Sequence, residues 1–146
     1  SMCKYNLKKL KYKLPTLKIG TNTNIPYKDN FFDLLVSINT IHYTNGEGFY
    51  SAIDEFSRVL KKGGVAIIET PNQKSDIVKS AKKIGKMKYI WNYDNSFRDG
   101  IKVNFFNGKK SIENSFKKKF KKIEILNRTE KFINSEYSWN IIILKK

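Results

Sequence analysis

The chain has 146 residues, 40% of them hydrophobic and 14% aromatic, which suits one packed domain over 1–146 and excludes a disordered tail. Cys3 is its single cysteine, so an internal disulfide and a cysteine-based metal site are excluded, and no metal is expected. No run of about 18 apolar residues predicts a membrane span, and the segment 1–14 is basic without the apolar stretch of a secretory leader; a reducing, cytoplasmic setting is expected.

The formal charge is +16. Such a charge admits nucleic acid or an anionic surface as a partner. However, the chain is crowded with Lys, Asn and Ile, all encoded by AT-rich codons, and its arginines are Arg58, Arg98 and Arg128 alone. Arginine is the commoner choice for bidentate phosphate and guanine contacts, so a nucleic-acid partner is admitted but not favoured.

In chain order, Leu7, Leu10 and Leu14 predict a short basic helix that Pro15 stops. Leu17–Asn22 reads as a strand, and Asn24–Asn30 as a loop. Phe31–Ile38 is an almost continuous apolar run, as in a strand covered on both faces. Asn45 and Gly46 then open a helix whose stripe is Phe49, Ile53, Phe56 and Leu60, with Gly63 as its left-handed cap and Val65–Ile68 as the next strand. Ser75 begins a second helix that runs to Ile84. The stretch 86–102 carries Trp91, Tyr93 and Phe97 without clear period. Ser111–Phe120 reads as a third helix, and Ile123–Leu126 and Trp139–Leu144 as the last strands. Strands alternating with helices predict an α/β layered sheet, and the last two strands, with no helix between them, predict an antiparallel pair.

Three segments carry a family resemblance. Ile25-Pro26-Tyr27 followed by Phe32-Asp33 matches a loop and strand start commonly written L-P-F and F-D. At the correct distance, Arg58–Gly64 (R-V-L-K-K-G-G) matches R-V-L-K-P-G-G, with Lys62 where proline is usual; its physical demand is a helix that stops and turns back into a strand. Between them Ser37–Tyr43 (S-I-N-T-I-H-Y) lies past the carboxyl end of a strand, where open α/β sheets bind ligands. The chain thus resembles the second half of a class I S-adenosylmethionine-dependent methyltransferase of the small-molecule branch. The resemblance covers 15–146 and spans the family's third to seventh strands. It implies a partial Rossmann-like sheet, mostly parallel, with an antiparallel C-terminal strand pair.

The resemblance implies S-adenosylmethionine as cofactor, a small-molecule methyl acceptor and methyl transfer to an O, N or C nucleophile. Ser37, Ile38 and Asn39 would border the cofactor. Thr21 and Asn22 would stand where the family's acidic residue holds the adenine amine. His42 sits where that branch often has histidine, and an unperturbed imidazole titrates near neutrality; with Glu69, at the end of the following strand, it forms the candidate catalytic pair. In contrast, Gly46-Glu47-Gly48 is a lone G-x-G remote from its strand and carries no cofactor expectation. The aromatic and basic mixture Trp91, Tyr93, Phe97 and Arg98 fits a lid or core better than base stacking.

The glycine-rich loop and the acidic residue that hold most of the family's cofactor have no counterpart in this sequence. In the family the strand equivalent to Phe32–Ile38 lies centrally, so here its edge is expected to be covered by Leu17–Asn22, by a second copy of the chain, or by a polypeptide that supplies the missing half. A catalytically inactive methyltransferase-like module that binds a partner protein, and a basic nucleic-acid-binding module, are the alternatives.

Overall fold

The computed structural model describes residues 2–44, 46, 48–91 and 99–146. A four-stranded sheet is ordered β1-β2-β7-β6. Its members are β1 (Phe32–Ile38), β2 (Leu60–Pro71), β6 (Lys122–Phe132) and β7 (Ser135–Lys145). β1 runs parallel to β2, β7 is antiparallel to β2, and β6 pairs antiparallel with β7. The α/β sheet and its antiparallel C-terminal pair are therefore as expected, but the sheet is mostly antiparallel rather than mostly parallel. The cause is topological: β7 returns between β2 and β6, and β1–β2 is the one parallel pair.

One face of this sheet holds the core. Helix α2 (Gly48–Val59) and helix α4 (Lys109–Phe116) cover it. Phe49, Ala52, Ile53 and Phe56 of α2 pack with Ile112 and Phe116 of α4 against Ala66, Ile68, Ile142 and Leu144. Because strand side chains alternate in direction, the opposite face carries the residues between these. Leu34, Val36 and Ile38 of β1 stand there, 53%, 54% and 57% exposed. They lie in register with Val65, Ile67 and Glu69 of β2. Ile143 and Ile141 follow on β7, and Leu126 on β6. No helix among the described residues covers this second face.

A smaller sheet, β3 (Ala81–Gly85), β4 (Lys88–Trp91) and β5 (Lys102–Asn104), lies in the order β3-β4-β5. It has its own core of Val78, Tyr89, Trp91, Val103 and Phe105. It also corrects the helix expected over 75–84: α3 is only Asp76–Lys79, and Ala81 begins a strand opposite Trp91. The helical spacing of Ile77, Ala81 and Ile84 loses to cross-strand pairing, which leaves Ile84 47% exposed. Trp91 is buried and donates its indole N–H to the Ile77 carbonyl; Tyr93, Phe97 and Arg98 lie outside the described residues, as do Asn45 and Glu47.

Two N-terminal expectations are also corrected. α1 is Met2–Lys9 and ends before Lys11, whose φ of +56° is incompatible with a continuing helix; Leu10 and Leu14 are left exposed. Leu17–Asn22 is not a strand. It makes one isolated bridge, Thr21 to Asn24, and Ile19 is fully exposed; a groove, not a ladder, separates Asn22 from the edge of β1.

The K-K-G-G turn is also displaced. α2 ends at Val59, and β2 begins at Leu60 with an irregularity: Phe32 pairs with Leu60 but Leu34 with Val65. The extra residues include Gly63 at φ +78°. A Cβ on Gly64 would stand 3.0 Å from the Lys61 carbonyl oxygen and 3.2 Å from that of Asp33. Gly63 thus serves the turn rather than the helix cap, and Gly64 serves the close approach of two backbones.

Candidate functional site

Arg58 organises the loop that leads into β1. Its Nε donates to Glu55 Oε1 at 2.5 Å and its Nη2 to Glu55 Oε2 at 2.8 Å. The same guanidinium donates to the carbonyls of Tyr27 (2.8 Å) and Ile25 (2.9 Å) and to Asp29 Oδ1 (2.8 Å). Glu55 Oε2 in turn accepts the Ile25 N–H at 2.7 Å. Five planar donors matched to fixed acceptors hold residues 25–29 against the end of α2. The Arg58 guanidinium, helped by the Ile25 N–H, holds the Glu55 carboxyl below its ordinary range. The carboxylates of Glu55 and Asp29 hold Arg58 ionised more firmly still. In the sequence this arginine reads as part of a fold marker; Glu55, three residues before it, is the signal for the clamp.

The clamped loop forms one wall of a groove of about 370 Å³ along the unpaired edge of β1. Asn22, Ile25 and Tyr27 line one side, and Leu34, Val36, Ser37, Ile38 and Thr40 the other. Asn22 Nδ2 reaches Thr44 Oγ1 at 3.3 Å, which ties the loop to the segment after β1. Ser37 is buried, and its hydroxyl lies 2.7 Å from that of Thr40. Of the five candidate cofactor residues, Asn22, Ser37 and Ile38 therefore share this groove. Thr21 is exposed beside it, with its hydroxyl 3.1 Å from that of Thr23. Asn39 leaves it: at φ +50° it turns toward β2.

There Asn39 meets Glu69. The Asn39 N–H donates to the Glu69 carbonyl at 2.9 Å, and its side-chain amide reaches Glu69 Oε1 at 3.5 Å. Glu69 Oε2 lies 3.4 Å from Arg128 Nη2, and the Arg128 guanidinium stacks over Trp139 at 4.5 Å. Arg128 is a site residue that the sequence does not advertise: it lies 59 positions further along the chain, and only the β6–β7–β2 ladder brings it across.

His42 lies in a single 3-10 turn, Ile41–Tyr43, and is 3% exposed. Its Nδ1 is 3.5 Å from Thr70 Oγ1. Its ring lies against those of Tyr43, Phe105 and Trp91, with centroids 4.4, 5.6 and 6.2 Å away. Thr70 and Glu69 are consecutive on β2 and so project to opposite faces. The two candidate catalytic residues are thus at the same strand end but on different faces of the sheet. His42 faces the small sheet, and Glu69 faces the uncovered side.

The groove thus presents an apolar strand edge, a side-chain amide at Asn22 and hydroxyls at Ser37 and Thr40. Among the described residues no group of three or more His, Cys, Asp or Glu is arranged to hold a metal ion, and no helix is long and apolar enough to cross a membrane.

Residues 1–68 match a family described as a methyltransferase domain. An uncharacterized protein of Methanocaldococcus jannaschii is 32% identical over 112 residues, which cover 73% of this chain and 47% of that protein. A solved protein of Pyrococcus horikoshii aligns with a TM-score of 0.64 at 21% identity, over 98% of this chain and 65% of the other. An S-adenosylmethionine-dependent methyltransferase of Thermotoga maritima aligns at 0.63 and 22% identity, over 87% of this chain and 62% of the other. The chain thus spans about half the length of the curated relative and just under two thirds of these two solved chains. The two kinds of match agree: the N-terminal part of the chain resembles a methyltransferase domain in sequence, and the chain shares its fold with these solved proteins.

Proposed function

We propose that this chain supplies the acceptor-side part of an S-adenosylmethionine-dependent methyltransferase acting on a small molecule, and that it works with a polypeptide that covers the β1 edge. The observation that carries this reading is the groove itself. The carboxyl end of β1, with Ser37 and Ile38, opens into it beside Asn22, the position at which open α/β sheets take their ligands.

When bound, S-adenosylmethionine supplies an electrophilic methyl group. Ser37, Ile38 and Asn22 would align one side of it, with Thr21 at one end, while Asn39 would act from outside the groove through Glu69. Glu69, ordered by Asn39 and Arg128, would accept a hydrogen bond or a proton from the acceptor's nucleophile. His42, buried between Thr70 and three aromatic rings, would orient the acceptor from the small-sheet side. The rate advantage in such an arrangement comes chiefly from alignment.

The partner follows from the strand edge. β1 offers unpaired backbone groups and an apolar face, a combination that folded proteins normally cover. A second copy of the chain and a separate polypeptide both meet that need. The same feature supports a second reading, a methyltransferase-like module that has kept the docking surface without the activity.

Calorimetric titration with S-adenosylhomocysteine tests the proposal. Saturable binding, by this chain alone or once it self-associates, is the expected result. No binding in either state would remove the methyltransferase reading for this chain and leave the docking module. Binding of nucleic acid that weakens steeply with salt would mark phosphate-driven contacts instead.

A further inference from the structure

A second polar pocket lies on the opposite side of the sheet from the uncovered face. It holds about 280 Å³ and is lined by Asn72, Gln73, Lys74, Lys109, Asn127 and Asn140, among others. Most of its polar groups are already paired. Asn72 Nδ2 donates to Ser138 Oγ at 2.8 Å, that hydroxyl lies 2.8 Å from Thr129 Oγ1, and Gln73 Nε2 donates to the Phe106 carbonyl at 2.8 Å. Asn140 is the exception. It is only 7% exposed and faces Asn127 across the β6–β7 ladder. Its carboxamide makes no side-chain hydrogen bond among the described residues, in contrast to Asn72, Gln73, Thr129 and Ser138. Its amide opens into the pocket, where a polar ligand can complete it.

Two features give the sign of a fitting group. Lys74 and Lys109 line the pocket, and no carboxylate does; Lys109 has one long contact outside it, 3.9 Å to Glu113. The N-terminus of α4, eight residues long, opens at Gly108, which has no side chain to cap it and a φ of +80°. The space beside Gly108 is open, with nothing within 4 Å of the position a Cβ would take. The first N–H groups of the helix, on Lys109 and Lys110, are thus free to meet a ligand, and the helix dipole adds to the lysine charge.

We propose that this pocket binds the oxyanion of a small phosphorylated molecule. The phosphate oxygens accept from the Lys109 and Lys110 N–H groups and from the Asn140 amide, between the ammonium groups of Lys74 and Lys109. Phe106 and Ile125 form the apolar part of the wall. The site is separate from the β1 groove and does not depend on the cofactor reading.

The test is a heteronuclear NMR titration at constant ionic strength with inorganic phosphate, glycerol phosphate and acetate in turn. Saturable shifts of the Lys109 and Lys110 amides and of the Asn140 side-chain amide are expected. Lys109→Gln, a surface change, should weaken the apparent Kd about tenfold, the scale of one charge-assisted hydrogen bond. Asn140→Asp should abolish binding while the remaining spectrum is retained. Equal affinity for the two phosphates identifies the free anion as ligand, and tighter binding of glycerol phosphate identifies an ester. Shifts scattered over the lysine-rich surface, insensitive to Lys109→Gln, would overturn the proposal, as would saturation by acetate alone.

Discussion

Glu55 and Arg58, one helical turn apart on α2, grip each other at 2.5 Å and together hold the backbone at Ile25. One ion pair thereby sets where the loop ends and β1 begins, and so sets one wall of the candidate groove.

Arg58→Ala is therefore expected to lower the melting temperature and to speed proteolysis between residues 20 and 30. Arg58→Lys should behave almost as badly, because a single ammonium cannot reproduce the fork that meets Glu55, Asp29 and two carbonyls. Limited proteolysis followed by mass spectrometry reads the first effect, and thermal melts read the second. Full rescue by lysine would show that charge alone suffices.

The same pair gives a pH dependence. The folded-state pKa of Glu55 lies below its ordinary 4.5. Its contribution to stability is therefore complete above that value and is lost as the pH falls through the lower, folded-state value. Asp76 behaves likewise: the Glu136 N–H, then Lys79, holds it below its ordinary 3.8. Urea midpoints measured from neutrality into this acid range should fall less steeply for Glu55→Gln than for the parent chain. Parallel curves would remove Glu55 from the acid transition.

Phe116 is fully buried between α4 and the sheet, with Phe106 and Phe120 at ring distances of 5.8 and 6.1 Å. Phe116→Ala should cost about 3–5 kcal/mol in chemical denaturation, from lost transfer energy and the cavity left behind. A loss below about 1 kcal/mol would mean that the α4 layer is not part of the cooperative core.

The paired glycines should respond differently. Gly63→Ala asks for a left-handed backbone and should cost about 1–2 kcal/mol. Gly64→Ala pushes a methyl group toward the Lys61 and Asp33 carbonyls, at 3.0 and 3.2 Å, and should also pull Phe32 and Leu34 out of register. Denaturation midpoints rank the two variants, and protection of the β1 amides from hydrogen exchange should fall only for Gly64→Ala.

Val36 lies on the uncovered face, 54% exposed. Val36→Lys should leave the melting temperature of the isolated chain nearly unchanged and abolish association through β1, as read by sedimentation velocity. An unaltered assembly would move the interface elsewhere.

The sequence was most legible where apolar period and turn chemistry agreed. The Phe49–Ile53–Phe56 stripe, the apolar β1 run and the final strand pair all form. It was least legible where tertiary partners decide. Leu17–Asn22 has strand composition but joins no ladder. Ala81 and Ile84 have helical spacing, yet Lys82 and Lys83 between them pair with Ile90 and Tyr89 in a strand. Within the candidate site, the strand ends that carry Ser37 and Glu69 could be located from the chain, because both follow apolar runs. Arg128 and Asn140 could not, since their places depend on which strand lies beside which.

The strand order has a consequence for how the molecule is made. β7, the latest strand in sequence, lies between β2 and β6, and every ladder bond joining the earlier strands to β6 passes through Ser135–Lys145. During synthesis β1 and β2 emerge before those eleven residues, so a pair formed early would remain a two-stranded apolar ribbon until they arrive. A nascent chain stalled before Ser135 would expose two edges of that ribbon rather than one, so this is the interval in which a chaperone has most to do.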